Sequence, residues 1–195
     1  MLIIEKLISA GGTLKNIQFD TSPYFQNLPN LDDRGEFTRI FDTTQLSRRL
    51  NREIKLNQVS FSYNYCKYTR RGLHLRKLPE HETKFVRILR GSVLDVILDC
   101  RKESDSFGSW AIFELKASDG DGIIVPGGFA HGIQTLENDT IVGYGMEIPF
   151  DPKKDLAINT DDIELKIPWG QNYTAISEKD RHAQSWAEFN SMFTY

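Results

Sequence analysis

Two histidines stand among strand-like stretches rich in basic and aromatic residues, one in Arg71-Gly72-Leu73-His74 and one in Pro126-Gly127-Gly128-Phe129-Ala130-His131-Gly132. Imidazole titrates nearer neutrality than any other unperturbed side chain, so a histidine held in a cavity is a ready proton acceptor. Downstream of the first lies His81-Glu82-Thr83-Lys84-Phe85-Val86-Arg87. In an extended strand Lys84 and Val86 point to one face, and Phe85 and Arg87 to the other. A histidine and a lysine converging in one interior would supply acid/base chemistry on a small anionic ligand. Such convergence needs several strands whose alternate residues turn inward.

The chain predicts strands of that kind. Asn57 to Tyr65 alternates Val59, Phe61, Tyr63 and Tyr65 with Gln58, Ser60, Ser62 and Asn64. One face is therefore apolar or aromatic and the other polar. If the polar face is inside, Gln58 and Ser60 contact a ligand; if outside, they are solvated. Further strands are read over Lys84–Leu89, Ser92–Asp99, Trp110–Leu115 and Ile123–Val125, separated by turn-rich segments such as Glu103–Gly108 and Gly120-Asp121-Gly122. Helix signals are few. Thr43–Leu50 places Leu46 and Leu50 one turn apart, and Ser177 is a good N-cap for a helical stretch ending near Phe189, with Asp180 at the third helical position. Asp180 standing alone would be a helix-start carboxylate favoured by the macrodipole. Short antiparallel strands with almost no intervening helix predict an all-β, cupin or jelly-roll double-sheet barrel with a few short helices. The expectation is one domain over residues 1–195, with a barrel core at about 54–150 and a C-terminal helical segment at about 177–190.

Composition narrows the function classes. A length of 195 residues, 39% hydrophobic content and a formal charge of −3 fit one soluble domain with no nucleic-acid footprint. Basic residues are dense from Lys67 to Arg90, which reads either as a solvated face or as an interior anion site. Cys66 and Cys100 have no CxxC spacing and read as reduced packing residues. No leader pattern is evident, and no stretch approaches the roughly 18 to 20 apolar residues of a membrane span, so the expectation is a cytoplasmic protein.

Read in order, Asp33-Arg34-Gly35-Glu36-Phe37, Arg71-Gly72-Leu73-His74, Lys84–Arg87, Gly91–Val96, Ser106–Trp110, Val125–Gly132, Tyr144, Pro149-Phe150-Asp151-Pro152, Ile167-Pro168-Trp169 and Ser177–Asp180 resemble the dTDP-4-dehydrorhamnose 3,5-epimerase family. The resemblance runs through about residues 32 to 189. It implies a cupin-type jelly roll, paired as a homodimer, acting without a cofactor on a nucleotide-diphosphate 4-keto-6-deoxyhexose in deoxysugar or O-antigen-type lipopolysaccharide synthesis. The C3 and C5 protons of that substrate are alpha to the C4 ketone. Removing either gives an enolate, and reprotonation from the other face inverts the centre.

By the resemblance, His74 is the base, Asp180 orients it, Lys84 donates to the C4 oxygen and Tyr144 is the opposite-face acid. A carboxylate on the second ring nitrogen would fix the histidine tautomer. A preorganised donor such as Lys84 is commonly worth roughly 3 to 4 kcal/mol. Arg34, Arg71 and Lys179 are implied in anion binding, His131 in a further substrate contact, and Gln58 and Ser60 in sugar-nucleotide binding. Phe150 stands where the family usually has a tyrosine stacked on the nucleobase. Arg39 replaces a common acidic residue and Ser60 an asparagine, departures that bear on which nucleotide is bound and whether C3, C5 or both are inverted.

A metal-dependent cupin is the chemical competitor, but it would offer a His-x-His pair, and positions 72 and 76 are Gly and Arg. His81 and His182 read as surface histidines, so no metal site is expected. Two other functions share the scaffold: a sugar-nucleotide 3,4-ketoisomerase, and a non-catalytic sugar-nucleotide-binding jelly roll. The combination of His74, Lys84, Tyr144 and Asp180 favours the epimerase, because binding alone needs no base and acid on opposite faces.

Overall fold

Alternating apolar residues on many short strands can all be buried only if two sheets face each other, and this is the arrangement adopted. The computed structural model describes residues 17, 19, 23–77, 80 and 82–192. The N-terminal strand-like segment and His81 lie outside the described residues. One sheet runs β1 (Tyr24–Gln26), β9 (Asp121–Val125), β6 (Lys84–Arg90), β11 (Thr140–Met146) and β4 (Gln58–Asn64). The other runs β12 (Asp155–Ala157), β5 (Arg70–Arg76), β10 (Phe129–Thr135), β7 (Ser92–Asp99) and β8 (Trp110–Lys116). All these pairings are antiparallel. β2 (Asn30–Asp32) and β3 (Gly35–Phe37) form a separate hairpin. The architecture is the double-sheet jelly roll expected from the strand pattern.

Three apolar layers hold it. Val86, Ile88, Val93, Ile97, Phe113, Ile123 and Val142 fill one end of the space between the sheets, leaving the other end to polar side chains. Leu73, Leu75, Val96, Leu98 and Ile112 face outward from the second sheet and are covered by Leu165, Ile167, Trp169, Trp186 and Phe189 of the C-terminal segment. Phe85 and Ile124 face outward from the first sheet and are covered by Leu46 of helix α1 (Thr43–Leu50). Each fully buried side chain of this size contributes roughly 1.5–3 kcal/mol.

α1 has the predicted boundaries. Asp42 caps it by accepting from the amides of Thr44 and Gln45, both at 3.0 Å, and Asn51 ends it in the left-handed conformation. The single terminal helix expected from Ser177 to near Phe189 is instead two. α2 (Glu178–Arg181) ends at His182, and α3 (Trp186–Ser191) starts afresh from a capping box between Ser185 and Glu188. The break has a packing reason: Asp180 turns toward β5 while Trp186 and Phe189 enter the outer apolar layer. Among the described residues no helix is long and apolar enough to cross a membrane.

Candidate active site

β5 does not alternate regularly. His131 of β10 pairs with His74, but Ile133 pairs with Arg71, so β5 carries one extra residue across that stretch. The irregularity puts both Arg71 and His74 on the inner side, whereas strict alternation would separate them. Gly72 makes it possible. Its φ is +110°, and a Cβ there would lie 2.6 Å from the His131 carbonyl oxygen and 2.7 Å from the Gly132 Cα. Both a side-chain-tolerant backbone and room for a methyl group are lacking.

His74 Nε2 lies 2.7 Å from Asp180 Oδ1, and the second carboxylate oxygen accepts the Gly72 N–H at 3.1 Å. Ser177, the α2 N-cap, accepts from the Asp180 amide at 3.1 Å. Asp180 is 3% exposed. Burial pushes its carboxyl upward, but the bond and charge of His74, with Gly72 and Ser177, outweigh burial and hold it below the ordinary 3.8. An ionised Asp180 keeps the proton on His74 Nε2 and leaves Nδ1 as the basic nitrogen.

The facing wall belongs to the first sheet. Tyr144 of β11 points inward from between Gly143 and Gly145, with its hydroxyl 3.4 Å from Ser62 Oγ of β4. Burial raises the phenol; the Ser62 bond and the Arg71 charge oppose this without cancelling it. At neutral pH Tyr144 therefore carries its proton. Lys84 opens β6, paired with Met146, and its Nζ lies 3.3 Å from Glu82 Oε2. His74 on the second sheet, with the Asp180 carboxylate of α2 bonded to it, thus faces the Tyr144 phenol and the Lys84 amine of the first sheet.

Between them lies a cavity of about 530 Å³, lined among others by Arg70, Arg71, His74, Lys84, His131, Tyr144, Lys179 and Asp180. Among its charged lining residues the cations Arg70, Arg71, Lys84 and Lys179 outnumber the one carboxylate, Asp180, a balance suited to an anionic ligand. His131 is itself held by Asp95, Nε2 to Oδ2 at 2.8 Å, and both are buried. Lys179 is bonded to Asp155 at the rim. Of the residues singled out in the sequence, His74, Lys84, Tyr144, Asp180, Arg71, His131 and Lys179 come together here.

Four do not. The polar face of β4 turns inward, which resolves the alternative left open by its alternation, yet Gln58 and Ser60 bond each other at 3.2 Å and lie outside the lining. Gln58 also accepts the Phe150 amide at 2.9 Å, and Phe150 is exposed beyond that contact. Arg34 sits at the turn of the β2–β3 hairpin, paired with Asp32 and away from the cavity. Cys66 is no packing residue: it is exposed at the cavity rim, while Cys100 is buried and both are free thiols.

Ser62, Asn64, Arg70 and Asp95 are the residues that sequence reasoning passed over. Ser62 and Asn64 carried a signal, since they share the polar face of Gln58 and Ser60. Arg70 and Asp95 carried only a collective one, within the basic stretch Lys67–Arg90 and the Gly91–Val96 motif: taken singly, a buried arginine and a buried aspartate look like surface residues until their partners are known. Arg70, 2% exposed, bonds Gln134, Asp161 and the Gln171 carbonyl and stacks on Trp169 and Tyr173. It thereby ties β5 and β10 to the segment that leads to Asp180. Among the described residues, no group of three or more His, Cys, Asp and Glu side chains gathers at a spacing that could hold a metal ion.

The family model described as dTDP-4-dehydrorhamnose 3,5-epimerase matches residues 22–188. A dTDP-4-dehydrorhamnose 3,5-epimerase of Sinorhizobium fredii is 34% identical over 165 residues, covering 84% of each chain. The crystal structure of the Bacillus anthracis enzyme of that name, with TDP and PPi bound, superposes with a TM-score of 0.80 at 33% identity, over 89% of this chain and 98% of that one. The Legionella pneumophila dTDP-6-deoxy-D-glucose-3,5-epimerase in complex with dTDP-4-keto-L-rhamnose gives a TM-score of 0.80 at 28% identity, over 89% and 94% of the two chains.

Proposed function

The chain belongs to the dTDP-4-dehydrorhamnose 3,5-epimerase family, and we infer from that premise that its cavity inverts C3, C5 or both in a nucleotide-diphosphate 4-keto-6-deoxyhexose. It is a sugar-nucleotide epimerase of deoxysugar biosynthesis. The observation that carries the reading is His74 of the second sheet, backed by Asp180 of α2, facing Tyr144 and Lys84 of the first sheet across one cavity.

His74 Nδ1 takes the proton alpha to the ketone. The imidazolium that forms is stabilised by Asp180, 2.7 Å from its other nitrogen. The electron pair moves onto the C4 oxygen, where Lys84 donates as the enolate develops. Tyr144 then delivers its proton to the same carbon from the opposite face, and the phenolate recovers a proton from solvent. His74 returns its own to water, so no net proton, electron or group is transferred. Arg71 holds the diphosphate, with His131 and Lys179 as further contacts to the substrate. Gln58, Ser60 and Phe150 belong to the nucleoside end of the site, beyond the enclosed part of the cavity.

We read the functional unit as a homodimer. Val59 and Phe61 on the outer face of edge strand β4, Tyr65 just past its end, and Leu31 and Phe37 on the β2–β3 hairpin are more than 60% exposed, an apolar surface that a second copy would cover. Exchange of hairpins between copies would carry Arg34 to the open nucleoside end of the other barrel. Residues 1–195 are read as a single domain, supported by the shared apolar layer between the barrel and the C-terminal helices. Two free thiols support a cytoplasmic setting. The product, on this reading, supplies O-antigen-type lipopolysaccharide.

Proton NMR of dTDP-4-keto-6-deoxyglucose incubated with the protein in deuterated water tests the assignment. Deuterium at C3, C5 or both is the expected result and identifies the carbon. Absence of exchange with this substrate and with its CDP and GDP analogues would overturn it.

A further inference from the structure

Arg71 is exposed, yet its guanidinium is tethered: Nε donates to Asn64 Oδ1 at 2.7 Å. Asn64 is 1% exposed. Its amide nitrogen donates to the Thr140 carbonyl at 3.1 Å and to Ser62 Oγ at 3.2 Å, and approaches the Ser62 carbonyl at 3.4 Å. Those acceptors decide which way the amide points, because a flipped amide would set its oxygen against theirs. The remaining oxygen is therefore presented to Arg71. Bonding at Nε uses the one guanidinium donor on the stem side and leaves both terminal nitrogens for forked contact with an anion. At its other end the same amide donates to Ser62 Oγ, whose hydroxyl lies 3.4 Å from that of Tyr144 and keeps its own proton available to donate there.

We propose that Asn64 is a positioning residue that aims Arg71 at the substrate's diphosphate and, through Ser62, steadies the Tyr144 hydroxyl. The proposal rests on the epimerase reading of the cavity and adds to it. An unbroken chain of side chains, Arg71–Asn64–Ser62–Tyr144, joins the group that binds the nucleotide to the group that protonates the sugar. When the phenolate forms, the Ser62 proton donates to it, and the Arg71 charge acts in the same direction. One buried amide thus sets both ends of the site.

The test is a double-mutant cycle read by calorimetric titration with dTDP and by turnover of dTDP-4-keto-6-deoxyglucose. Asn64→Leu should weaken dTDP binding about tenfold and lower kcat about tenfold. In an Arg71→Ala background, Asn64→Leu should change dTDP affinity by less than about twofold, because no guanidinium remains to aim, while the kcat loss persists through Ser62. If Asn64→Leu does not fold, Asn64→Ser replaces it, keeping a short hydroxyl but losing the reach to Arg71, with the same outcomes expected. An affinity within about twofold of the parent, or a full loss that persists without Arg71, would overturn the proposal. Deuterium exchange by the unsubstituted enzyme reports separately on the epimerase reading.

Discussion

Asp180→Asn changes almost no volume, yet it should be at least as damaging as Asp180→Ala. The Gly72 N–H lies 3.1 Å from one carboxylate oxygen and has no use for an amide donor. The asparagine must therefore give its carbonyl oxygen to Gly72 and turn its NH₂ toward His74. Nε2 then becomes the acceptor and the ring proton moves to Nδ1, the nitrogen that has to be empty to act as base. A second loss adds to this one. Opposite unit charges 2.7 Å apart attract by about 6 kcal/mol at an effective dielectric near 20. The His74 side chain is 30% exposed, and screening reduces this to roughly 3–4 kcal/mol, or 10²–10³ in rate. Together these effects set the expected fall in kcat on the order of 10³, with KM changed less than about threefold. Initial rates by proton NMR measure it, and ¹⁵N spectra of the imidazole report the tautomer. Alanine leaves Nε2 to water and the productive tautomer accessible. A loss in Asp180→Asn below about tenfold, or turnover tenfold above that of Asp180→Ala, would refute the reasoning.

Tyr144→Phe should lower formation of inverted product by on the order of 100-fold while deuterium wash-in with retained configuration continues, because His74 is untouched; loss of exchange as well would remove Tyr144 from the acid role. Arg71→Ala should weaken dTDP binding by about tenfold in calorimetry, and an unchanged affinity would take Arg71 out of the site. Gly72→Ala should destabilise the protein by more than about 2 kcal/mol, a fall of several degrees in Tm, since its Cβ would meet backbone at 2.6 Å. Asp180 is held below its ordinary 3.8, so its stabilising contribution is complete above about pH 4 and is lost as pH falls through the lower folded value. The Tm gap between the parent and Asp180→Asn should accordingly narrow from pH 7 to pH 3; a constant gap would show that the carboxylate charge does not stabilise the fold.

Periodicity made most of the barrel readable. Ser92–Asp99 and Thr43–Leu50 begin and end where the pattern places them, and Lys84 and Val86 face inward while Phe85 and Arg87 face away. What periodicity could not convey is where it breaks. The extra residue in β5 brings Arg71 and His74 to one side, and it is marked only by Gly72, one glycine among fourteen. β4 reverses the usual rule by turning serines and asparagine inward and Val59 and Phe61 out, which no single chain's burial pattern would demand. The break in the terminal helix is hidden in the sequence, because its two N-caps, Ser177 and Ser185, stand only eight positions apart with no Gly or Pro between them. Arg34 and Phe150 are legible through family resemblance alone, and both lie outside the enclosed cavity.

His74 and its carboxylate are separated by 106 positions, and every strand of both sheets is complete by Ala157. At ordinary rates of synthesis of 5–20 residues per second, the nascent barrel waits on the order of 5 to 20 s between the emergence of its base and the emergence of the group that orients it. The same tail brings Trp186 and Phe189 to the outer face of the second sheet. Docking of the tail therefore closes the last apolar layer and sets the tautomer of His74 in one event. If Asp180 orients the base, turnover in a population of newly made chains reports chains whose tail has docked and not the barrel alone.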